Sequence, residues 1–295
     1  MDKLSGLRAF VKTADLGSFV AAGQALEISA SAVGKSVAKL EQALGVRLLQ
    51  RSTRRIQLTD EGRVFHERCR RILDDLDDAQ AMLARTGEAP RGRLRISAPV
   101  VGHHFLSPLI PDFLARYPEV ELDINFTDRT VDLIDEGIDV AIRSGDLPDS
   151  RLVSRPLNRF RLLLYASPAY LARHGTPELA RDLERHTVIR FRHPSSGKLL
   201  AWPMLQATAD ADVRLRTVLA CNNMEAVFGA TLRGVGIACM PEFLAREALA
   251  DGRLVSVLQA QLSAGGQFSA LWPSSRHLSP KVRVFVDHLG EQLPA

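Results

Sequence analysis

Two helical patterns space apolar residues at helical period across 19–26 and 33–44, and only Glu27, Ile28 and Ser29 stand between the two patterns, the second opening ahead of Val33. Phe19, Ala22, Ala25 and Leu26 make the first stripe, and Val33, Val37, Leu40 and Leu44 make the second. Helices joined by so short a turn must cross steeply, which confines this stretch to a compact helical head. Ser29 or Ser31 can cap the second helix. Its polar face then carries Ser31, Lys35, Ser36 and Lys39, opposite Val33, Val37 and Leu40. Hydroxyls and ammonium groups on a helix of this kind suit a phosphate-lined groove, where they can bond both backbone and base edges.

Immediately downstream, residues 46–49 and 55–58 alternate as strands around Gln50, Arg51, Ser52, Thr53 and Arg54. A basic hairpin beside a helix-turn-helix is a wing, able to follow the backbone or to enter a narrow minor groove. Between Ser29 and Arg55 six Lys or Arg residues face one Glu, a local net charge of +5, whereas the whole chain carries only +4. The basic balance is therefore concentrated in one short stretch, the footprint of a nucleic-acid binder. Ser29, Ser31, Lys35, Ser36 and Lys39, with Arg51, Thr53, Arg54 and Arg55 on the wing, are the candidate DNA contacts.

These residues resemble the LysR-type transcriptional regulators. The family's long N-terminal pattern is matched by Ser18-Phe19, Ala22, Leu26, Ser29, Ser31-Ala32-Val33, Leu40-Glu41, Leu44-Gly45, Leu48 and Arg51, and its closing L-T-x-x-G by Leu58-Thr59-Asp60-Glu61-Gly62. Glu27 stands where the family usually has glycine, Gly34 where it usually has serine, and Leu49 where phenylalanine is common. The first departure puts a side chain in a turn suited to left-handed backbone. The second costs roughly 1 kcal/mol of helix propensity and removes a hydroxyl that family members often direct at DNA. The resemblance covers the whole chain and implies an α/β protein overall. Its parts are a winged helix-turn-helix over 1–59, a linker and dimerisation helix over 60–88, and a two-lobed, periplasmic-binding-protein-like (type 2) effector domain over 89–295. Lobe I is expected from 92–162 plus 267–295 and lobe II from 163–266, hinged by two crossing strands.

Phe65, Cys69, Ile72, Leu76, Ala79 and Leu83 fall at alternating intervals of four and three, an a/d repeat of about three heptads. An amphipathic helix lying on its own domain gives the same spacing, and the resemblance favours the dimer seam. The acidic run Asp74, Asp75, Asp77 and Asp78 reads as a solvated face, and 86–92 as a Gly/Pro-containing hinge. Beyond residue 93, strand and helix patterns alternate, which argues for open α/β units with substantially parallel sheets. Strands are expected at 93–98, 120–126, 140–143, 161–166, 188–191, 213–218, 236–240, 254–257 and 268–272, with a helix across 105–117.

Enzymatic motifs are missing: the chain has no G-x-S-x-G elbow, no phosphate-binding loop and no H-E-x-x-H. Gly234-Val235-Gly236 lacks the third glycine of a dinucleotide fingerprint and leads into a strand. His103-His104, with no spaced carboxylate or cysteine partner, reads as a surface or loop-packing pair rather than a metal site. No cofactor and no metal is expected. Three cysteines without close spacing exclude a disulfide framework; Cys69 and Cys239 read as core residues, while Cys221, beside a candidate ligand segment, leaves a redox role open. No apolar run reaches the length of a membrane span, and Asp2-Lys3 leads directly into an amphipathic helix without a signal peptide, so a cytoplasmic protein is expected.

A cleft between two α/β lobes is lined by loops at strand ends and by helix N-termini, whose N–H groups attract anions. Ser97, Pro99, Val100, Arg143, Asn222, Asn223 and Gly236 lie on such segments, and the family binds ligand across comparable positions. Each has a structural alternative: Ser97 and Asn222 as helix caps, Gly236 as a turn, Arg143 as a partner of Asp146. An arginine among hydroxyl and amide donors points to a small organic anion. The implied partners are double-stranded DNA, a small-molecule effector and further copies of the chain as dimer or dimer of dimers, with RNA polymerase an additional candidate. A solute-binding protein sharing the two-lobed fold is the alternative reading. Effector, target promoter, and activation against repression are not encoded in any motif.

Overall fold

The computed structural model describes residues 3–51, 56–83, 89–145, 152–204, 213–262, 265–274 and 279–293. The chain divides into two compact units, Met1–Glu88 and Ala89–Ala295. No helix among the described residues is long and apolar enough to cross a membrane.

The N-terminal unit consists of α1 (Lys3–Leu16), α2 (Phe19–Ala25), α3 (Ala30–Leu44), the hairpin strands β1 (Leu49–Arg51) and β2 (Ile56–Leu58), and α4 (Asp60–Leu83). Serines start both helices of the tight pair: the Ala21 N–H donates to Ser18 Oγ at 3.3 Å, and the Ala32 N–H to Ser29 Oγ at 3.2 Å. Gly45, at φ 72°, closes α3 in a left-handed cap, its N–H on the Glu41 carbonyl. Val33 and Val37 are fully buried with Ala9, Phe10, Ala22, Leu48 and Leu49, so the apolar stripe of α3 rests on α1 and the start of the hairpin. Glu41 Oε1 accepts from the Leu48 N–H at 2.8 Å and the Leu49 N–H at 3.0 Å, tying α3 to the start of the hairpin through charge-assisted bonds.

The hairpin is shorter than its sequence pattern suggests. Leu49 pairs with Leu58 and Arg51 with Ile56, while residues 46–48 stay outside the strand. Thr59 holds that segment instead: its N–H donates to the Leu48 carbonyl at 3.0 Å and its hydroxyl to the Arg47 carbonyl at 2.8 Å. A Cβ on Gly62 would sit 2.0 Å from Leu48 O, which explains physically why the L-T-x-x-G segment ends in glycine.

The C-terminal unit carries two five-stranded sheets. The first is ordered β4-β3-β5-β12-β6, from β3 (Gly92–Ala98), β4 (Val120–Phe126), β5 (Val140–Ser144), β6 (Leu152–Phe160) and β12 (Gly266–Pro273). It is covered by α5 (His103–Leu106), α6 (Ile110–Arg116) and α10 (Pro280–Gln292), whose Phe113, Val282, Phe285 and Leu289 pack against Leu94 and Ile96. The second sheet is ordered β11-β7-β10-β8-β9, from β7 (Leu162–Ala166), β8 (Thr187–Phe191), β9 (Arg216–Cys221), β10 (Ile237–Pro241) and β11 (Val255–Val257). Its helices are α7 (Pro168–His174), α8 (Met224–Leu232) and α9 (Glu242–Ala250). The chain passes from the first sheet to the second at Arg161 and returns through Gly265-Gly266. The crossings touch, since a Cβ on Gly265 would lie 1.8 Å from Phe160 O.

Three expectations need correction, and one strand was not expected. Each sheet is mixed: β4-β3-β5 and β10-β8-β9 are parallel, and the remaining pairings are antiparallel. The helix expected at 105–117 is broken into α5, α6 and 3-10 turns, with Pro108 and Pro111 among its residues. The strand expected at 213–218 lies at Arg216–Cys221. Strand β6 gave no sequence signal because it is a sheet edge, largely exposed, with Pro156 in its middle.

Candidate functional site

Helix α3 exposes Ser31, Lys35, Ala38, Lys39 and Gln42 on the side away from buried Val33 and Val37. Gly34 belongs to the same side, and a Cβ there would meet nothing within 4 Å, so the glycine widens a clear face. Ser29 is occupied as the cap of α3, and its oxygen lies 3.1 Å from Ser31 Oγ. Ser36 stands on the half-buried shoulder, where its carbonyl would be 3.9 Å from a Cβ on Gly6. Sequence reasoning passed over Ala38 and Gln42, although the helical period places both beside Lys35. Thr53, Arg54 and Arg55 lie outside the described residues, as does the side chain of Arg51.

Helix α4 corrects the reading of its apolar repeat. Phe65 packs on Phe10 at 5.7 Å between ring centroids, and Cys69 is 1% exposed in the unit's own core beside Leu73. The inward stripe is therefore 65, 69 and 73, because the first turns of α4 lie on α1. Ile72 is 51% exposed and Leu76 is half-buried, while the side chains of Ala79 and Leu83 lie outside the described ones. His66 Nε2 and Arg70 Nη1 meet Asp15 Oδ1 at 2.9 and 3.4 Å. Burial opposes the charge on Asp15, but the His66 hydrogen bond and the charges of Arg70, His66 and Lys12 outweigh it and hold its carboxyl below the ordinary value.

Between the two sheets of the C-terminal unit lies a cavity of about 620 Å³, within the range of small-molecule sites. Its apolar wall includes Phe160, Phe191, Leu200 and Met224, and its polar wall includes Asp128, Arg129, Arg143 and His193. Arg143 Nη2 donates to the hydroxyl of fully buried Ser97 at 2.6 Å, and Nη1 donates to the Ile142 carbonyl at 2.7 Å. Asp128 Oδ1 accepts from the Val100 N–H at 3.0 Å. Burial lowers the pKa of Arg143 against the pull of Asp128 and Glu136, and burial raises that of Asp128 against Val100, Arg143 and His193. Burial thus weighs against both charges, and a ligand group of opposite charge would offset that cost at either one. Across the rim, the Thr130 N–H donates to Ser195 Oγ at 2.6 Å, joining loops of the two lobes.

Of the ligand candidates, Pro99 and Arg143 line this wall. Ser97 and Val100 stand behind it, orienting Arg143 and Asp128. Asn222, Asn223 and Gly236 do not line it. Asn223 caps α8 by accepting from the Ala226 N–H at 3.0 Å. A Cβ on Gly236 would be 2.5 Å from Thr187 O, so that glycine permits β10 to approach β8. Thr127 to Thr130, His193 and Ser195 were missed: they lie in loops with no motif, and only the meeting of the lobes gathers them. Cys221 does not line the cavity either; its thiol lies 3.6 Å from the Asn223 carbonyl. Burial pushes the Cys69 and Cys239 thiols up to about 11 and about 12, which keeps them inert.

Comparison with known proteins agrees with both halves of this description. Residues 4–63 match the family "Bacterial regulatory helix-turn-helix protein, lysR family", and residues 87–294 match "LysR substrate binding domain". The chain is 36% identical over 289 residues to the HTH-type transcriptional regulator CrgA of Neisseria meningitidis serogroup C, covering 97% of this chain and 96% of the relative. An HTH-type transcriptional regulator of Xanthomonas campestris is 35% identical over 287 residues, covering 96% and 83%. Among solved structures, CrgA from Neisseria meningitidis, a LysR-type transcriptional regulator, superposes with a TM-score of 0.64 at 33% identity, covering 99% of both chains. A helix-turn-helix head and a substrate-binding domain, each matched over nearly its full length, leave the solute-binding alternative without support, and the chain belongs to the LysR family of bacterial transcriptional regulators.

Proposed function

We propose that this regulator reads DNA with the α3 face formed by Ser31, Gly34, Lys35, Ala38 and Lys39, and that its effector is a small organic anion with an apolar body. The observation that carries the first part is a basic, hydroxyl-bearing helix side, clear of neighbours at Gly34, standing over fully buried Val33 and Val37. A side so anchored presents its donors without rearrangement. For the effector, half-buried Arg143 beside fully buried Ser97 supplies the anion partner, and Phe160, Phe191 and Leu200 supply the apolar contact. Asp128 selects against ligands with charge on the wrong end. An effector acts here only if it binds two lobe arrangements with different affinity.

In this reading the family's oligomers form through α4 by way of Ile72, Leu76, Ala79 and Leu83, since Phe65, Cys69 and Leu73 are occupied within their own unit. The same reading has the protein working in the cytoplasm with its DNA, where RNA polymerase would be a further partner. The test is gel retardation on DNA flanking the protein's own gene, repeated across salt concentrations for the wild type and for Lys35→Ala with Lys39→Ala. Specific retention, with a salt slope lowered by roughly two in the variant, supports the reading. An unchanged slope removes both lysines from the phosphate contacts.

A further inference from the structure

The structure assigns a transition-metal site to His103, His104 and Glu225, at the place where α5 of the first lobe meets α8 of the second. One donor atom from each residue lies within 4.8 Å of the other two. His104 Nε2 is already 2.8 Å from Glu225 Oε1, and the His103 and His104 rings lie 4.0 Å apart between centroids. In tetrahedral zinc coordination with bonds near 2.0–2.1 Å, donor atoms stand about 3.3 Å apart, so small side-chain rotations bring all three onto one ion. Solvent completes the coordination, as the three side chains are half-buried or exposed.

Second contacts favour a ligand set over an incidental ion pair. His103 Nδ1 lies 2.8 Å from the Val100 carbonyl, and a carbonyl can only accept, so Nδ1 carries the proton and Nε2 keeps the lone pair. Metal-binding histidines characteristically donate their second nitrogen to a carbonyl or carboxylate in this way. Phe126 stands edge-on to His103 at 6.2 Å and Phe243 is 6.4 Å from His104, which restricts both rings. Two imidazoles with one carboxylate suit zinc and its neighbours, and not calcium or magnesium, which take all-oxygen sets.

Glu225 comes from the lobe opposite the histidines, so a bound ion staples the lobes together. Its affinity then depends on lobe arrangement, and the factor by which a ligand that shifts that arrangement changes metal affinity equals the factor by which the metal changes the affinity for that ligand. The site uses none of the residues that line the effector cavity, although Val101 and Met224, close to His103 and Glu225 in the chain, belong to that wall.

The test uses the full chain, without a histidine tag and stripped with chelator. Zn2+ is titrated against a chromophoric competitor, and Co2+ is used as a spectroscopic probe. Expected is one tight equivalent per chain with visible Co2+ absorption of low-coordinate geometry. Glu225→Gln, which keeps a hydrogen-bond partner for His104, and His103→Ala should each weaken binding roughly 100-fold with unchanged circular dichroism. Zn2+ should raise the melting temperature of the wild type and not of Glu225→Gln. Binding only at millimolar metal, or equal binding in the wild type and a His103→Ala, His104→Ala double variant, overturns the site. Binding lost with the histidines but unaffected by Glu225→Gln overturns the bridge between lobes.

Discussion

Helix α3 places Ser31, Lys35 and Lys39 on one face within nine residues of chain, whereas the interlobe cavity draws its polar wall from loops and strands between Asp128 and His193. The two surfaces also differ in cost. Lysines on α3 stay in water and need only a firm helix beneath them, which buried Val33 and Val37 provide. Arg143 and Asp128 have lost part of their hydration, and Ser97 and the Val100 N–H return only part of it. A surface of the first kind recognises a partner already dense in charge. One of the second kind discriminates between small ligands, because a ligand without the matching charge leaves a buried group unpaired.

The largest effect expected is Gly62→Ala. Its Cβ would meet Leu48 O at 2.0 Å, so the start of α4 and the Leu48 segment cannot keep their approach, and the N-terminal unit should lose about 3 kcal/mol. Urea unfolding reads this, and an unshifted midpoint would mean that the segment relaxes freely. Next, Arg143→Met should weaken an anionic effector by about 2 kcal/mol, roughly 30-fold, while operator affinity without effector changes less than about twofold. Equal loss of both would erase the distinction between the two surfaces. Glu27→Gly should stabilise by about 1 kcal/mol, since Glu27 adopts φ 54° and glycine carries no penalty there. Thermal unfolding measures it, and a lower melting temperature would show that the side chain contributes contacts of its own.

The smallest effect concerns Asp15. Its folded pKa is depressed, so the stabilisation it brings is fully present above the unfolded carboxylate value of about 3.9 and is lost as pH falls through the lower folded value. The partners are partly exposed and the gain should stay below about 1 kcal/mol. Asp15→Asn should flatten that part of the acid unfolding curve, and an identical curve would assign acid sensitivity elsewhere.

Legibility in the sequence followed the distance over which each feature is built. The Ser29 cap, the left-handed Glu27 and the α3 stripe could be read because a turn, a cap and a helical face involve neighbours in the chain. The repeat in α4 was ambiguous because a helix against its own domain and a helix against a partner need the same spacing; Cys69 and Leu73 turn inward only because α1 lies beneath them. Asn223 and Gly236 looked like ligand residues by type and position at strand ends, yet a cap and a close strand approach already account for them.

By itself the sequence determined the helix-turn-helix head, the basic stretch beside it, the alternation of strands and helices beyond residue 93 and the absence of enzymatic motifs, all of which depend on local period and composition. Tertiary structure alone decided which loops face the cavity, that Arg143 is held by Ser97, and that His104, with His103 beside it, meets a carboxylate 121 residues further along the chain. Such meetings depend on how two sheets pack and cross, and no local spacing carries that information.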